Sequence, residues 1–156
     1  MSVTSDILES WRRPRVVVRR LLDQGKSEPF AFSLLVTGLV LFYISRTPLL
    51  ARIAYKQPEP LLTPWLLGSA LGLAATVPIW YMIAAFAHLV AQLLGGKGSF
   101  YGGRIALFWA LVAASPALLT SGLVAGVGGS SDIFGLIAGM IFVMFWVMML
   151  REAERA

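Results

Sequence analysis

Cysteine is absent from this chain, which excludes a disulfide framework, thiolate chemistry and any cysteine metal site. Histidine occurs once, at His88. A single imidazole without further nitrogen, sulfur or oxygen ligands at suitable spacing cannot build a zinc centre. Charge is scarce too: 13% of the 156 residues are Asp, Glu, Lys or Arg, against roughly 25% in an ordinary soluble domain. None of those charges falls in the middle of an apolar stretch. No recognisable catalytic constellation emerges, and no cofactor is implied.

What the chain has instead is length in its apolar runs. Hydrophobic residues make up 58% of it. Four segments, Phe30–Ser45, Leu61–Leu94, Arg104–Val127 and Ile133–Leu150, are almost free of charge, and each is close to or above the roughly 20 residues that cross a bilayer as a helix. The sequence therefore predicts an all-α fold, a polytopic integral membrane bundle. A cytoplasmic basic segment at 1–28, containing a short amphipathic interfacial helix, precedes a four-helix transmembrane domain at 29–150 (spans 30–45, 61–94, 104–127 and 133–150). A cytoplasmic tail at 151–156 closes the chain. Residues 1–28 contain no uninterrupted apolar core, so the first span is expected to act as an uncleaved signal anchor.

Orientation follows from the basic residues, whose excess marks cytoplasmic flanks. Arg12, Arg13, Arg15, Arg19, Arg20, Lys26, Lys97, Arg104, Arg151 and Arg155 fall on one side of the spans, and only Arg46, Arg52 and Lys56 on the other. Both termini are expected in the cytoplasm. The three opposing charges place Thr47–Tyr55 along the membrane surface, with Leu49, Leu50 and Ile53 toward lipid. The formal net charge is +5, yet its basic residues flank apolar spans, which favours anionic lipid headgroups over nucleic acid.

Pro14 divides the amino-terminal segment into two short helices, since proline suits the first turn of a helix and not its interior. Behind it Val17, Val18, Leu21 and Leu22 recur at helical spacing, with Arg15, Arg19 and Arg20 opposite. That pattern predicts an interfacial helix whose arginines hold headgroups, or dock a soluble partner, while the aliphatic face dips into the acyl boundary. The second span is longer than needed, at ~50 Å for a ~30 Å core. Pro78 and Pro116 are expected to bend the second and third spans.

Small residues four apart recur at Gly68 and Gly72, Gly122 and Gly126, and Gly135 and Gly139. Small side chains let membrane helices approach closely, and packing within one monomer is the simplest use of all three pairs. His88, with Gln92 one turn further on, is the most polar pair in any span and the one candidate for an intramembrane polar site. No chain of carboxylates accompanies it, so the expected state is a hydrogen-bonded neutral histidine near the cytoplasmic interface. The stretch Gly95-Gly96-Lys97-Gly98-Ser99-Phe100-Tyr101-Gly102-Gly103-Arg104 is no phosphate loop, because Lys97 is followed by Gly98 and not by Ser or Thr. It reads as a tight turn with Phe100 and Tyr101 at headgroup level and Lys97 and Arg104 reaching phosphates. Met140, Met144, Met148 and Met149 read as packing or lipid-facing residues, not a metal relay.

The basic segment Arg15-Val-Val-Val-Arg-Arg-Leu-Leu22, and the turn Leu94-Gly-Gly-Lys-Gly-Ser-Phe100 leading into Arg104-Ile-Ala-Leu-Phe-Trp109, resemble bacterial members of the Yip1 family over about Arg15 to Leu150. Eukaryotic relatives in that family bind small GTPases and one another during vesicle traffic. No Asp-Leu-Tyr-Gly-Pro-like element occurs here, and four spans stand where those relatives have five, so that role does not transfer simply. The resemblance implies a polytopic helical protein without enzymatic activity, in a bacterial inner membrane. Two functions are carried forward. One is an interaction, scaffold or accessory subunit that meets a membrane-protein partner or itself. The other is a small permease or channel subunit with a cavity near the kinked spans, lined by Ser115, Thr120, Ser121, His88 or Gln92.

Overall fold

A computed structural model describes residues 3–56, 62–129 and 131–155; Leu61, the expected start of the second span, lies outside them. The described residues form eight helices and no strand: α1 (Val3–Arg12), α2 (Pro14–Asp23), α3 (Glu28–Lys56), α4 (Leu62–Ala75), α5 (Val77–Leu93), α6 (Phe100–Ala113), α7 (Ser115–Val127) and α8 (Ser131–Ala153). Three units are long and apolar enough to cross a membrane: α3, α4 together with α5, and α8. Helices α6 and α7, bent by 43°, make a fourth when taken as one span.

Proline sets most of the breaks. Pro14, Pro78 and Pro116 each stand in the first turn of a new helix, where the missing N–H costs nothing. Pro48 is the exception. The sequence ends the first span at Ser45–Pro48 and lays Thr47–Tyr55 on the surface, yet α3 continues unbroken through Pro48 to Lys56. Two hydroxyls support the backbone there, Ser45 Oγ donating to the Phe42 carbonyl and Thr47 Oγ1 to that of Tyr43. Packing does more: α7 lies along this stretch, with Gly122 against the backbone of Ser45 and Gly126 against Pro48. Tertiary contact thus overrides a local helix breaker.

Helix α6 is the axis of the bundle. From Tyr101 to Ala113 every residue except Arg104 is buried, in one cluster with Leu35 and Leu39 of α3, Phe145 and Met149 of α8, and Val17 and Val18 of α2. A helix apolar on all sides belongs in such a centre. Helices α3 and α6–α7 run parallel, Glu28 meeting Arg104 at one end and Gly38 meeting Leu111 further along. Helix α8 returns antiparallel, bringing Ala153 to Gly98 and Gly102.

The amphipathic segment departs from expectation in what covers it. Val17, Val18 and Leu21, expected at the acyl boundary, are buried in the bundle against α6 and α8. Helices α1 and α2 form a hairpin held by Arg20, which reaches Asp6 at 3.0 Å and Glu9 at 2.9 Å. The hydrogen bond to Glu9 and the two carboxylate charges raise the Arg20 pKa above its ordinary value. The hairpin slots beside α6: Trp109 Nε1 donates to Ser10 Oγ at 3.0 Å, and Trp11 Nε1 to the Ala113 carbonyl at 2.9 Å. Trp11 also meets Phe145 edge to face, with ring centroids 5.4 Å apart. Trp11→Ala removes the hydrogen bond to Ala113 and the ring contact with Phe145, and trypsin is expected to cut after Arg12 at least tenfold faster in the purified variant. An unchanged digestion rate would mean that the hairpin is held elsewhere.

Candidate functional site

Two features carry polar or surface chemistry: a buried clasp at the end of the bundle that holds the carboxyl-terminal end of the chain, and helix faces that the monomer leaves unfilled.

The clasp is built on His88. Its side chain is 1% exposed, and Nδ1 donates to Glu154 Oε1 at 2.6 Å. The other carboxylate oxygen, Oε2, accepts from the Gly98 amide at 3.1 Å, and the Glu154 carbonyl accepts from the Lys97 amide at 2.9 Å. Phe100 closes the imidazole from one side, with centroids 4.5 Å apart. This accounts for the glycine-rich turn. A Cβ on Gly96 would stand 2.6 Å from Glu154 Oε2, and one on Gly98 would stand 2.5 Å from the Ala153 carbonyl oxygen. Gly103 lets α6 approach His88 and Ala84 of α5. Gly95, at φ 90°, occupies the left-handed region in which only glycine is unstrained. The turn is thus a cradle for the end of α8. Both functions of the Glu154 carboxylate, accepting from a ring nitrogen and from a backbone amide, are those a buried acid requires.

His88 pairs with Glu154, a partner that the sequence did not supply. Gln92, expected beside it, is exposed near the end of α5 and does not join the clasp. Glu154 falls in the expected cytoplasmic tail at 151–156, and the signal that pairs it with His88 is that the expected topology puts it on the same side of the spans as the only histidine. Tyr101, expected at headgroup level, is buried in the core, while Phe100 is half exposed.

The basic residues divide. Arg19 pairs with Glu152, Arg20 with Asp6 and Glu9, and Arg104 with Glu28 while lying over the Tyr81 ring. Those three serve the protein's own contacts. Arg12, Arg13, Arg15 and Lys97 are exposed, as headgroup contacts would be. Ser115, Thr120, Ser121 and His88 do not converge. Thr120 and Ser121 donate to carbonyls of their own helix, those of Pro116 and Leu118, and His88 is engaged by Glu154.

The glycine pairs divide as well. Gly122 and Gly126 are filled by α3, as expected of packing within one monomer. Around Gly68 and Gly72 on α4, and Gly135 and Gly139 on α8, a built Cβ meets nothing within 4 Å. Single-monomer packing does not account for these four. Both spans run the same way through the bundle, and each pair lies in the first half of its span, Leu62–Leu93 or Asp132–Ala153, so the two open faces stand at similar depth.

A family model for the Yip1 domain matches residues 8–154. The chain belongs to the Yip1 family. No curated protein and no solved structure matches it. Within this Yip1 domain the matched region begins inside α1 and ends on Glu154. The docked hairpin and the clasp are therefore both parts of the domain. With its apolar spans, the Yip1 chain is a polytopic helical membrane protein. Among the described residues no group of three or more His, Cys, Asp or Glu side chains is placed to hold a metal.

Proposed function

We propose that this Yip1 protein is a non-enzymatic interaction or scaffold subunit that binds laterally to another membrane-protein helix, from a partner or from a second copy. One observation carries the reading: two glycine-bearing helix faces, on α4 and on α8, are open where the third pair is filled. Lipid tails offer no hydrophobic advantage over a protein side chain, so association in the bilayer rests on close backbone approach, which small residues permit. Large apolar side chains flank both faces, with Leu67 59% and Leu71 63% exposed on α4, and Leu136 67% and Met140 64% exposed on α8. The site is a bacterial inner membrane, with both termini in the cytoplasm and the exposed amino-terminal arginines against anionic headgroups. A permease would need a continuous polar lining, and the Thr120 and Ser121 hydroxyls of α7 donate to carbonyls of their own helix.

The test is isolation of the tagged protein from its own membrane in mild detergent, with mass spectrometry of what co-purifies. A partner or second copy at fixed stoichiometry is expected, and Gly72→Leu with Gly139→Leu should release it while leaving the melting temperature within a few degrees. Recovery of the wild-type chain alone as a monomer would overturn the reading. For orientation, a reporter active only outside the cytoplasm should be silent at the carboxyl terminus and active near Gly129. The reverse pattern would place both termini outside.

A further inference from the structure

Between α5 and α8 runs a groove that the monomer does not fill. Its inner part, about 600 Å³, is lined on α5 by Ile79, Met82, Ile83, Phe86 and Val90, and on α8 by Trp146, Val147 and Leu150. The α5 residues recur at helical spacing and make one apolar face. Phe86 is 69% and Met82 70% exposed. At the inner end Trp80 meets Phe142 edge to face at 6.2 Å, and Phe142 in turn stacks on Trp146. The outer end is different in kind. The groove continues past the shared residues Ala87, Val90, Val147 and Leu150 into a second cleft of about 420 Å³, bordered by Leu94, Gly95, Arg151 and Arg155.

Charge at that mouth is net positive in its available groups. Glu154 also borders it, but both of its carboxylate oxygens are engaged by His88 and Gly98. Arg151 and Arg155 are exposed and have no ion pair among the described residues. They stand one helical turn apart, just beyond the point where the apolar stretch of α8 ends. From Ile79 to Leu94 the groove measures ~22 Å along the helix, long enough to take the ~15 Å of hydrocarbon that one leaflet provides.

We infer that this groove is a binding site for one anionic glycerophospholipid of the leaflet on the terminal side. An acyl chain lies between α5 and α8, and the phosphate is held by Arg151 and Arg155. An apolar shaft with two convergent cations at one end matches the two parts of such a lipid, and arginine forms paired hydrogen bonds to phosphate. A partner helix fits less well, because its own apolar length would continue past the arginines or bury them unpaired. The groove lies toward the terminal side of the same helix stripes that carry the open glycine pairs, since Gly135, Gly139, Trp146 and Leu150 recur at helical spacing, so the lipid and the lateral partner proposed above take successive depths along one face.

The experiment is native mass spectrometry of the full-length protein, released from micelles containing phosphatidylglycerol or phosphatidylcholine with identical acyl chains. One phosphatidylglycerol is expected to stay bound at 1:1 and to outcompete phosphatidylcholine. Arg151→Gln with Arg155→Gln should weaken retention about 25-fold, the product of two roughly fivefold headgroup contributions. Ala87→Trp, or separately Val147→Phe, fills the shaft and should displace the lipid with the arginines intact. Melting temperatures confirm that each variant is folded. Equal retention of both lipids, or retention unmoved by the arginine and the shaft variants, would mean annular lipid only and would overturn the site. A protein chain photo-cross-linked from Phe86 into the groove would overturn it equally.

Discussion

Glu154→Ala costs the bundle about 1–3 kcal/mol for each buried donor it strands, as measured by thermal or denaturant unfolding in detergent, because it leaves the His88 imidazole and the Gly98 amide without their shared acceptor. His88 is 1% exposed and Glu154 7%, so the wild-type contact is shielded from water. Glu154→Gln keeps an acceptor for one donor and sets its NH2 against the other, so its loss is expected to fall below that of Glu154→Ala without vanishing. A double-mutant cycle between His88→Ala and Glu154→Ala should return a coupling of about 1–3 kcal/mol, within the range of contacting residues in one hydrogen-bonded network. Additive losses would mean that the two side chains are buried independently. The variant should also loosen the turn, since the Lys97 amide and Gly98 lean on the same residue. Faster proteolysis at Lys97 would report it.

Gly122→Val is the second large effect. A methyl group at Gly122 overlaps the Ser45 carbonyl oxygen, and backbone, unlike a flexible side-chain tip, cannot move aside. Overpacking of this kind costs about 1–3 kcal/mol or more. Here it also drives α7 from the stretch of α3 that contains Pro48, so the upper end of that range is expected. The same substitution at Gly68 or Gly135, where a Cβ meets nothing, should leave the melting temperature within a few degrees. Equal destabilisation at all three positions would contradict the division into filled and open faces.

What local chemistry controls was legible in the sequence. Pro14, Pro78 and Pro116 open helices because the ring has no N–H to place elsewhere, and that is a property of the residue. The apolar runs announced the spans for the same reason. Pro48 defeated the rule because its helix is held by Gly122 and Gly126, more than seventy positions away, and no local signal carries such a contact. The amphipathic face of Val17, Val18 and Leu21 was correctly read as apolar, but periodicity does not distinguish a lipid surface from the side of α6. The glycine stripes were visible as stripes. Which were filled depended on which helix arrived opposite them. His88 was singled out, yet its partner sits 66 positions later, beyond the last span, where a glutamate looks like ordinary solvent-facing charge. The glycine turn gained its meaning only when the end of α8 was found inside it.

The absence of cysteine makes the central claim directly testable. Single cysteines at Gly72 and Gly139, with a third at exposed Leu123 on α7 as control, can each carry a short thiol-attached photo-crosslinker in native membranes. The account predicts a discrete covalent adduct from Gly72 and Gly139, of one defined mass, and only a diffuse background from Leu123. Equal background at all three positions would contradict it, and the open faces of α4 and α8 would then be covered by lipid.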